Sequence, residues 1–382
     1  MYLRYGINPH QAGRVAATSV PGPVTVRSGE PSYINLLDAL SGWQLVREAS
    51  VPAGGPVAAS FKHVSPAGVA AAGDLDDTMR EAWGVHGTVG RLTSAYVRAR
   101  DADPKSSFGD MIAVSEPVDA ELADLLSRVV ADGIVAPGFE PGTVEVLARK
   151  KHGTFLVLES DPAYEPPAWE HRDVFGLVLE QQRDQAPITA DLLHVTGGGA
   201  LPAGTVRDGL LGLTALRYTQ SNSVAVVKGG MTLGIGAGQQ NRVDCVKLAV
   251  AKAATWWLRR HRQVRGLPAT AGISRQDRLN WQIRMAEADM TPGQLAEFTC
   301  LFPGSAPALD GAGRTAWIGR LDGVTLASDG FLPFRDNIDH ASRIGVRHVI
   351  EPGGSSRSQD IETACTELGI TLVRTGLRLF RH

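Results

Sequence analysis

DNIDHASRIGVRHVIEPGGSSRSQDIETACTELGITLVR, residues 336–374, alternates two kinds of segment. Residues 336–344 and 358–368 have helical character, whereas Val346 to Ile350 and Ile370 to Arg374 are short apolar runs of strand length. Helix, strand, helix, strand in that order predicts an α/β fold with a mixed, largely parallel sheet covered by helices.

Upstream, Val224 to Lys228 and the residues after Gly229-Gly230 read as a two-stranded hairpin, because a Gly-Gly pair supplies the turn geometry that such hairpins need. Residues 206–217 have helical character, and the Gly197-Gly198-Gly199 run ahead of them marks a boundary between halves. The expected division is 1–195 and 196–382, with a helical insertion over 259–320 and a helix near 277–288. In the first half, Ile34, Leu37, Leu40, Leu45 and Val46 predict a helix over 33–49, followed by a buried strand from Val57 that ends at Lys62. Val64 to Gly68 reads as a rigid turn. Asp119 caps a helix whose stripe is Leu122, Leu125, Leu126, Val129 and Val130, with Gly133 expected to stop it, and Phe155 to Leu158 reads as another strand.

The chain has 382 residues, 43% apolar and 20% charged, which suits two packed α/β units. With 38 basic against 40 acidic side chains there is no global field to draw it to nucleic acid or an anionic membrane. No stretch reads as a signal peptide or membrane span, so a cytoplasmic location is expected. Cys245, Cys300 and Cys365 match neither a disulfide framework nor a zinc spacing and read as packed thiols.

Lys62-His63 stands where a buried strand becomes a loop. An adjacent cation favours the neutral imidazole, the form that accepts a proton. Taken alone, the pair is weak evidence and reads first as a solvated loop. Ser106-Ser107-Phe108-Gly109-Asp110 offers close backbone approach at its glycine. Thr219 to Ser223 sets five polar residues between apolar segments, the pattern of a binding group or of a local turn. Gly234-Ile235-Gly236-Ala237-Gly238 feeds a helix and suggests a phosphate cradle, without the Lys-Ser/Thr of a P-loop. Ser328 to Asn337 joins Phe331 and Phe334 to carboxylates, suiting a flat heteroaromatic ligand, a capped helix start at Asp336, or both.

Read in order, LRYGINPHQ (3–11), SFKHVSPAG (60–68), SSFGD (106–110), DGIVAPGF (132–139), YTQSNSV (218–224), GIGAGQQNR (234–242), SDGFLPFRDNID (328–339) and LRLF (377–380) span essentially the whole chain. They resemble the aminoimidazole carboxamide ribonucleotide (AICAR) transformylase portion of the bifunctional family that also carries inosine monophosphate cyclohydrolase. The resemblance implies two cytidine-deaminase-like α/β subdomains without zinc, a homodimer with shared active sites, and 10-formyltetrahydrofolate as formyl donor. It implies His63 as general base, Lys62 as transition-state stabiliser and Asn222 as an orienting group. Arg4, Tyr5, Gly109, Asp132, Arg242, Phe331 and Arg378 would meet the nucleotide, and Val243, Asp336, Ser355 and Ser356 the folate. A potassium-type ion is implied near Thr219, Ser221, Ser223 and Asp329. Because Met1 lies three residues before Arg4, the expectation is a chain without cyclohydrolase activity, served by a separate cyclohydrolase. A formyltransferase for a related aminoimidazole nucleotide and a non-catalytic nucleotide-binding regulator remain as alternatives.

Overall fold

The computed structural model describes residues 1–382. A ribbon of β1 (Tyr2–Leu3) and β2 (Gly13–Arg14) precedes the edge strand β3 (Val24–Ser28). Ser32 then starts α1 (Tyr33–Ala53) with a reciprocal capping box to Asn35, and Gly54 closes it in the left-handed conformation. The chain continues through β4 (Val57–Lys62), β5 (Ser65–Ala71), α2 (Asp77–Trp83), α3 (Arg91–Ala102), β6 (Asp110–Val114), α4 (Ala120–Ser127), β7 (Ala131–Ala136), α5 (Thr143–Ala148) and β8 (Leu156–Ser160). A separate hairpin, β9 (Trp169–Val174) and β10 (Leu177–Gln182), stands off the main sheet.

After β11 (His194–Val195), the second half runs α6 (Ala203–Arg217), β12 (Val224–Lys228), β13 (Met231–Gly236) and α7 (Arg242–Leu258). Four helices follow: α8 (Arg262–Arg265), α9 (Arg275–Glu287), α10 (Pro292–Leu301) and α11 (Gly311–Ile318). The chain ends with β14 (Val324–Ser328), α12 (Asp336–Ser342), β15 (Val346–Glu351), α13 (Ser358–Glu367) and β16 (Thr371–Arg374).

Twelve strands form one mixed sheet in the order β11-β16-β15-β14-β12-β13-β5-β4-β6-β7-β8-β3. Its two halves repeat one connectivity. In each, a helix leads into an antiparallel hairpin, the hairpin's first strand pairs antiparallel with a third strand, and two parallel strands follow through helical crossovers. The halves meet where β13 runs antiparallel to β5. Opposition of the two central hairpins brings the β4–β5 turn beside the start of β12 and the end of β13. Both faces of the sheet are covered. Val57, Ala59 and Phe61 pack with α1 and α6 residues such as Trp43, Leu45 and Leu213, while Ala58, Ile112 and Val226 pack with α3 and α7 residues such as Tyr96 and Ala249.

Three local expectations are corrected. Ser65 to Gly68 is strand, not turn, because the reversal is completed by His63 and Val64 alone. Gly133 lies inside β7 and does not end α4, which stops at Ser127; a Cβ at Gly133 would meet the Leu156 carbonyl oxygen at 2.6 Å, so it is glycine for strand packing. Gly234 and Gly236 are strand residues, where a Cβ would lie 2.4 Å from the Ala249 and 2.3 Å from the Cys245 carbonyl oxygen, so they admit α7 rather than a phosphate. At α12, Arg335 occupies the cap position without a side-chain bond and Asp336 is the first helical residue.

Candidate active site

His63 and Val64 form a two-residue hairpin turn with φ of 53° and 62°. Positive φ at both central positions is what such turns require, and Gly or Asn normally supplies it, so a β-branched valine there is strained. The second half shows the unstrained solution. Between Lys228 and Met231 the same turn is Gly229-Gly230, with φ of 61° and 75°. A buried aspartate on the preceding helix holds each turn. Asp208 of α6 accepts from the backbone N–H of Gly229 at 2.9 Å and of Gly230 at 2.6 Å. Asp38 of α1 accepts from the Val64 N–H at 2.6 Å and from the His63 N–H. Burial raises both carboxyls above the ordinary range, and these N–H donors offset part of that penalty. The first half therefore keeps the clamp but places an imidazole where the duplicate has glycine. Strain of this kind is retained where surrounding structure over-determines it, commonly at functional sites.

Lys62 is half-buried and donates from Nζ to the Phe108 carbonyl oxygen at 2.5 Å, while His63 is exposed. The Phe108 loop is itself anchored. Arg100 and Asp110, both buried, pair at 2.6 Å, and the Ser60 hydroxyl lies 2.5 Å from Asp110 Oδ2 and 2.8 Å from Ser107 Oγ. Gly109, at φ 73°, faces Asp132, whose carboxylate pairs with Lys151.

The polar stretch after α6 adjoins this turn through one bond, from the Gln220 N–H to Ser65 Oγ at 3.3 Å. Asn222 donates from Nδ2 to the Gln239 carbonyl at 2.9 Å, and its Oδ1 accepts from Arg242 at 2.7 Å. Asp329 is the hub beneath. Its carboxylate pairs with Arg242 and accepts from Ser221 Oγ at 2.6 Å, Ser223 Oγ at 2.9 Å and Ser223 N–H at 3.0 Å. Arg242 is thus committed to Asp329 and Asn222, which makes it an orienting group for Asn222 rather than a free cation. Thr219 Oγ1 donates back to the Ala215 carbonyl at 2.7 Å. A potassium-type ion does not fit this set: Asp329 is already charge-balanced by Arg242, Thr219 turns to its helix, and nothing below is routed through such an ion. No group of three or more His, Cys, Asp or Glu residues is placed to hold a metal.

The C-terminal segment closes over the hub. Leu379 N–H donates to the Asp329 carbonyl at 2.9 Å, Ser221 N–H to the Arg381 carbonyl at 3.0 Å, and Arg381 to Ser41 of α1 at 2.9 Å. Arg378 is exposed, its guanidinium 4.7 Å from the Phe380 ring centroid. Gly330 admits both neighbours, since a Cβ there would lie 2.6 Å from Arg242 and 2.7 Å from Phe380. Arg4, also exposed, donates to the Tyr5 hydroxyl at 2.8 Å, and the Tyr5 carbonyl accepts from Tyr33 at the start of α1, the helix that carries Asp38.

The residues expected at a folate lie on a neighbouring rim. Val243 sits half-buried in the first turn of α7, against which α12 packs with the exposed Asp336 at its start. Ser355 and Ser356 occupy the loop after β15, where Ser355 Oγ accepts from the Arg357 N–H at 3.1 Å and Arg357 lies 5.4 Å from the Phe334 ring centroid. Phe331 and Phe334 are 44% and 50% exposed, an apolar surface that the core does not use. Buried Glu351 fixes their loop by accepting from the Leu332 N–H at 2.9 Å. Sequence reasoning missed Asp38, Ser41 and Glu351. The only available signal for Asp38 was a second aspartate, Asp208, at the corresponding place before a hairpin.

These features define a mixed-sheet α/β protein, internally duplicated, with a polar cluster where one hairpin turn meets the strand ends of the other half. Residues 1–252 match the family model described as the AICARFT/IMPCHase bienzyme, and the chain belongs to that family. Among curated relatives, the bifunctional purine biosynthesis protein PurH of Roseobacter denitrificans is 32% identical, that of Dinoroseobacter shibae 31%, and that of a Jannaschia species 30%. Each alignment covers all of this chain and 59% of the relative, so the chain spans under two thirds of those proteins.

Proposed function

We propose that this chain transfers the formyl group of 10-formyltetrahydrofolate to the 5-amino group of AICAR, giving formyl-AICAR in purine biosynthesis. The observation that carries the reading is the strained His63–Val64 turn, clamped by Asp38 and set beside Asn222. The acceptor amine is conjugated with a ring bearing a carboxamide and is a weak nucleophile. As it attacks the formyl carbon, His63 takes its proton and Lys62 stabilises the oxyanion that forms on the formyl oxygen. Collapse expels the folate nitrogen, to which His63 returns the proton. Asn222, fixed by Arg242 and Gln239, orients the carboxamide. Arg4 and Arg378 are the free guanidiniums suited to the nucleotide phosphate, with Tyr5, Gly109 and Asp132 completing that side. Phe331 lies on the nucleotide side, and the folate lies along Val243, Asp336, Ser355 and Ser356.

A homodimer with shared sites is part of the reading, and the β9–β10 hairpin supports it. That hairpin pairs only with itself, yet Phe175 is fully exposed and Leu177, Val178 and Leu179 are more than half exposed. A charged residue in place of Phe175 and Leu177 is expected to shift the chain to monomer in sedimentation. The test is to incubate the purified chain with both substrates and resolve products by mass. Formyl-AICAR formed with loss of the donor's formyl group supports the proposal; no transfer to the acceptor refutes it.

A further inference from the structure

Away from this site, an open surface groove of about 680 Å³ lies between the first half and the helices that follow α7. Its walls are Glu81, Gly84 and His86 at the end of α2, and Arg262, Arg265, Gly266, Ala269, Arg275 and Arg278 from α8, α9 and their connection. Four guanidiniums therefore face one carboxylate, in a protein whose overall charge is near balance. The four are not equivalent. Arg265 is neutralised by Glu81 at 2.6 Å and Asp77 at 3.2 Å. Arg278 is held by the Leu267 and Arg265 carbonyls at 2.7 and 2.8 Å, which occupies two of its five N–H groups. Arg275 lies over Gly84, where a Cβ would sit 2.3 Å from its Nη1, and makes one 3.3 Å bond to the Trp83 carbonyl. Arg262 is exposed and lines the same groove. Like charges gathered this closely repel one another, and protein carboxylates compensate only Arg265.

We propose that this groove binds a small molecule bearing two or more adjoining anionic groups, phosphates or carboxylates, with Arg262 and Arg275 as the principal ligands and Arg278 as a fixed third donor. The volume lies within the usual small-molecule range and exceeds what a single phosphate fills. Several guanidinium forks lining one groove suit a chain of anionic groups rather than one point charge. Glycine at position 84 lets a guanidinium lie flat against the backbone, so the wall is preformed. The inference is independent of the formyl-transfer reading, because none of these residues belongs to that site.

The test is calorimetric titration of the full chain with inorganic triphosphate and, in a second arm, with citrate, which separates a phosphate from a carboxylate source. Saturable binding of either at moderate salt is expected. Arg262→Ala/Arg275→Ala is expected to weaken it by about tenfold or more, since each removes a charge-assisted contact. Glu81→Gln, which removes the opposing charge, is expected to tighten it. Arg128→Ala/Arg347→Ala, with the same loss of charge on remote surfaces, is the control. If the double variant is unstable, Arg262→Ala alone serves, because Arg262 is exposed. No saturable binding of either probe, or equal weakening by the control pair, overturns the proposal.

Discussion

Asp38→Ala is expected to lower turnover by about tenfold to thirtyfold without touching a substrate. In the structure the Asp38 carboxylate accepts from the backbone N–H groups of His63 and Val64, the second at 2.6 Å. A hydrogen bond to a charged acceptor is worth about 1.5–3 kcal/mol, and each residue held at positive φ costs about 1–3 kcal/mol. The clamp and the strain are of similar size. Removing about 2 kcal/mol of clamp reduces the held turn roughly thirtyfold relative to relaxed conformers. His63 then meets the acceptor amine in fewer molecules, so kcat falls while KM for the nucleotide, set by the exposed arginines, changes little. Asp38→Asn keeps one acceptor oxygen for the Val64 N–H, loses the charge and puts a donor NH2 in place of the second oxygen, and is expected to fall between alanine and wild type in turnover. It also carries a pH signature. Burial raises the Asp38 carboxyl above 3.8, so the native state holds that proton more tightly than the unfolded chain. This contribution to stability is present below the unfolded value and is lost as pH rises through the folded one. The asparagine variant does not titrate, so its stability relative to wild type should improve as pH rises from about 3.5 towards about 7. Steady-state kinetics and urea denaturation at the two pH values measure both effects. An alanine variant that folds normally and turns over within threefold of wild type refutes the clamp.

Three further outcomes follow from the same geometry. Val64→Gly removes an unfavourable left-handed valine worth about 1–2 kcal/mol against about 0.5–1 kcal/mol of glycine entropy, so urea denaturation should show a slightly more stable protein with lower kcat. His63→Ala should lose about 10²–10⁴-fold in turnover with nucleotide affinity largely kept, and near-normal turnover would remove His63 from the chemistry. Burial pushes the Cys245 and Cys365 thiols up to about 12, whereas Cys300 is exposed. A thiol reagent at pH 8 should therefore label one cysteine quickly in the folded chain, identified by peptide mass as Cys300, and all three after denaturation.

The parts of the fold legible in the sequence are those whose signals are local. Asp119 caps α4 in the structure, Gly229-Gly230 turns a hairpin, and the C-terminal alternation becomes α12, β15, α13 and β16 within a few residues. The segments that escaped reading have no local signature. β5, β6 and β14 are buried on both faces, so their apolar residues run continuously and carry no period of two. The β9–β10 hairpin turns at Phe175-Gly176, a dipeptide without strong turn preference, with φ of 47° and 82°. At the proposed site, Lys62, His63 and Asn222 were visible as motifs. Their supports were not: Asp38 and Glu351 are ordinary carboxylates in a helix and a strand until folding buries them against particular N–H groups.

The duplication explains why the sequence left His63 undecided between loop and base. Two equivalent turns exist at opposite ends of the hairpins, and only one departs from the residue type its backbone favours. At the glycine end, buried Arg98 donates to the carbonyls of Ala71 and Gly229, tying the end of β5 to the second turn, and Lys228 is engaged by the Asp322 carbonyl at 2.6 Å. That end is tied by its own side chains. At the histidine end the bond between the two hairpins is a single 3.3 Å one from Gln220 to Ser65, and His63 is exposed. A structural turn would gain from glycine in both halves, as the second half shows. The half that gives up this gain keeps Asp38 to hold the strained backbone, and that asymmetry, more than the Lys-His pair itself, is what supports the proposal that His63 acts in the chemistry.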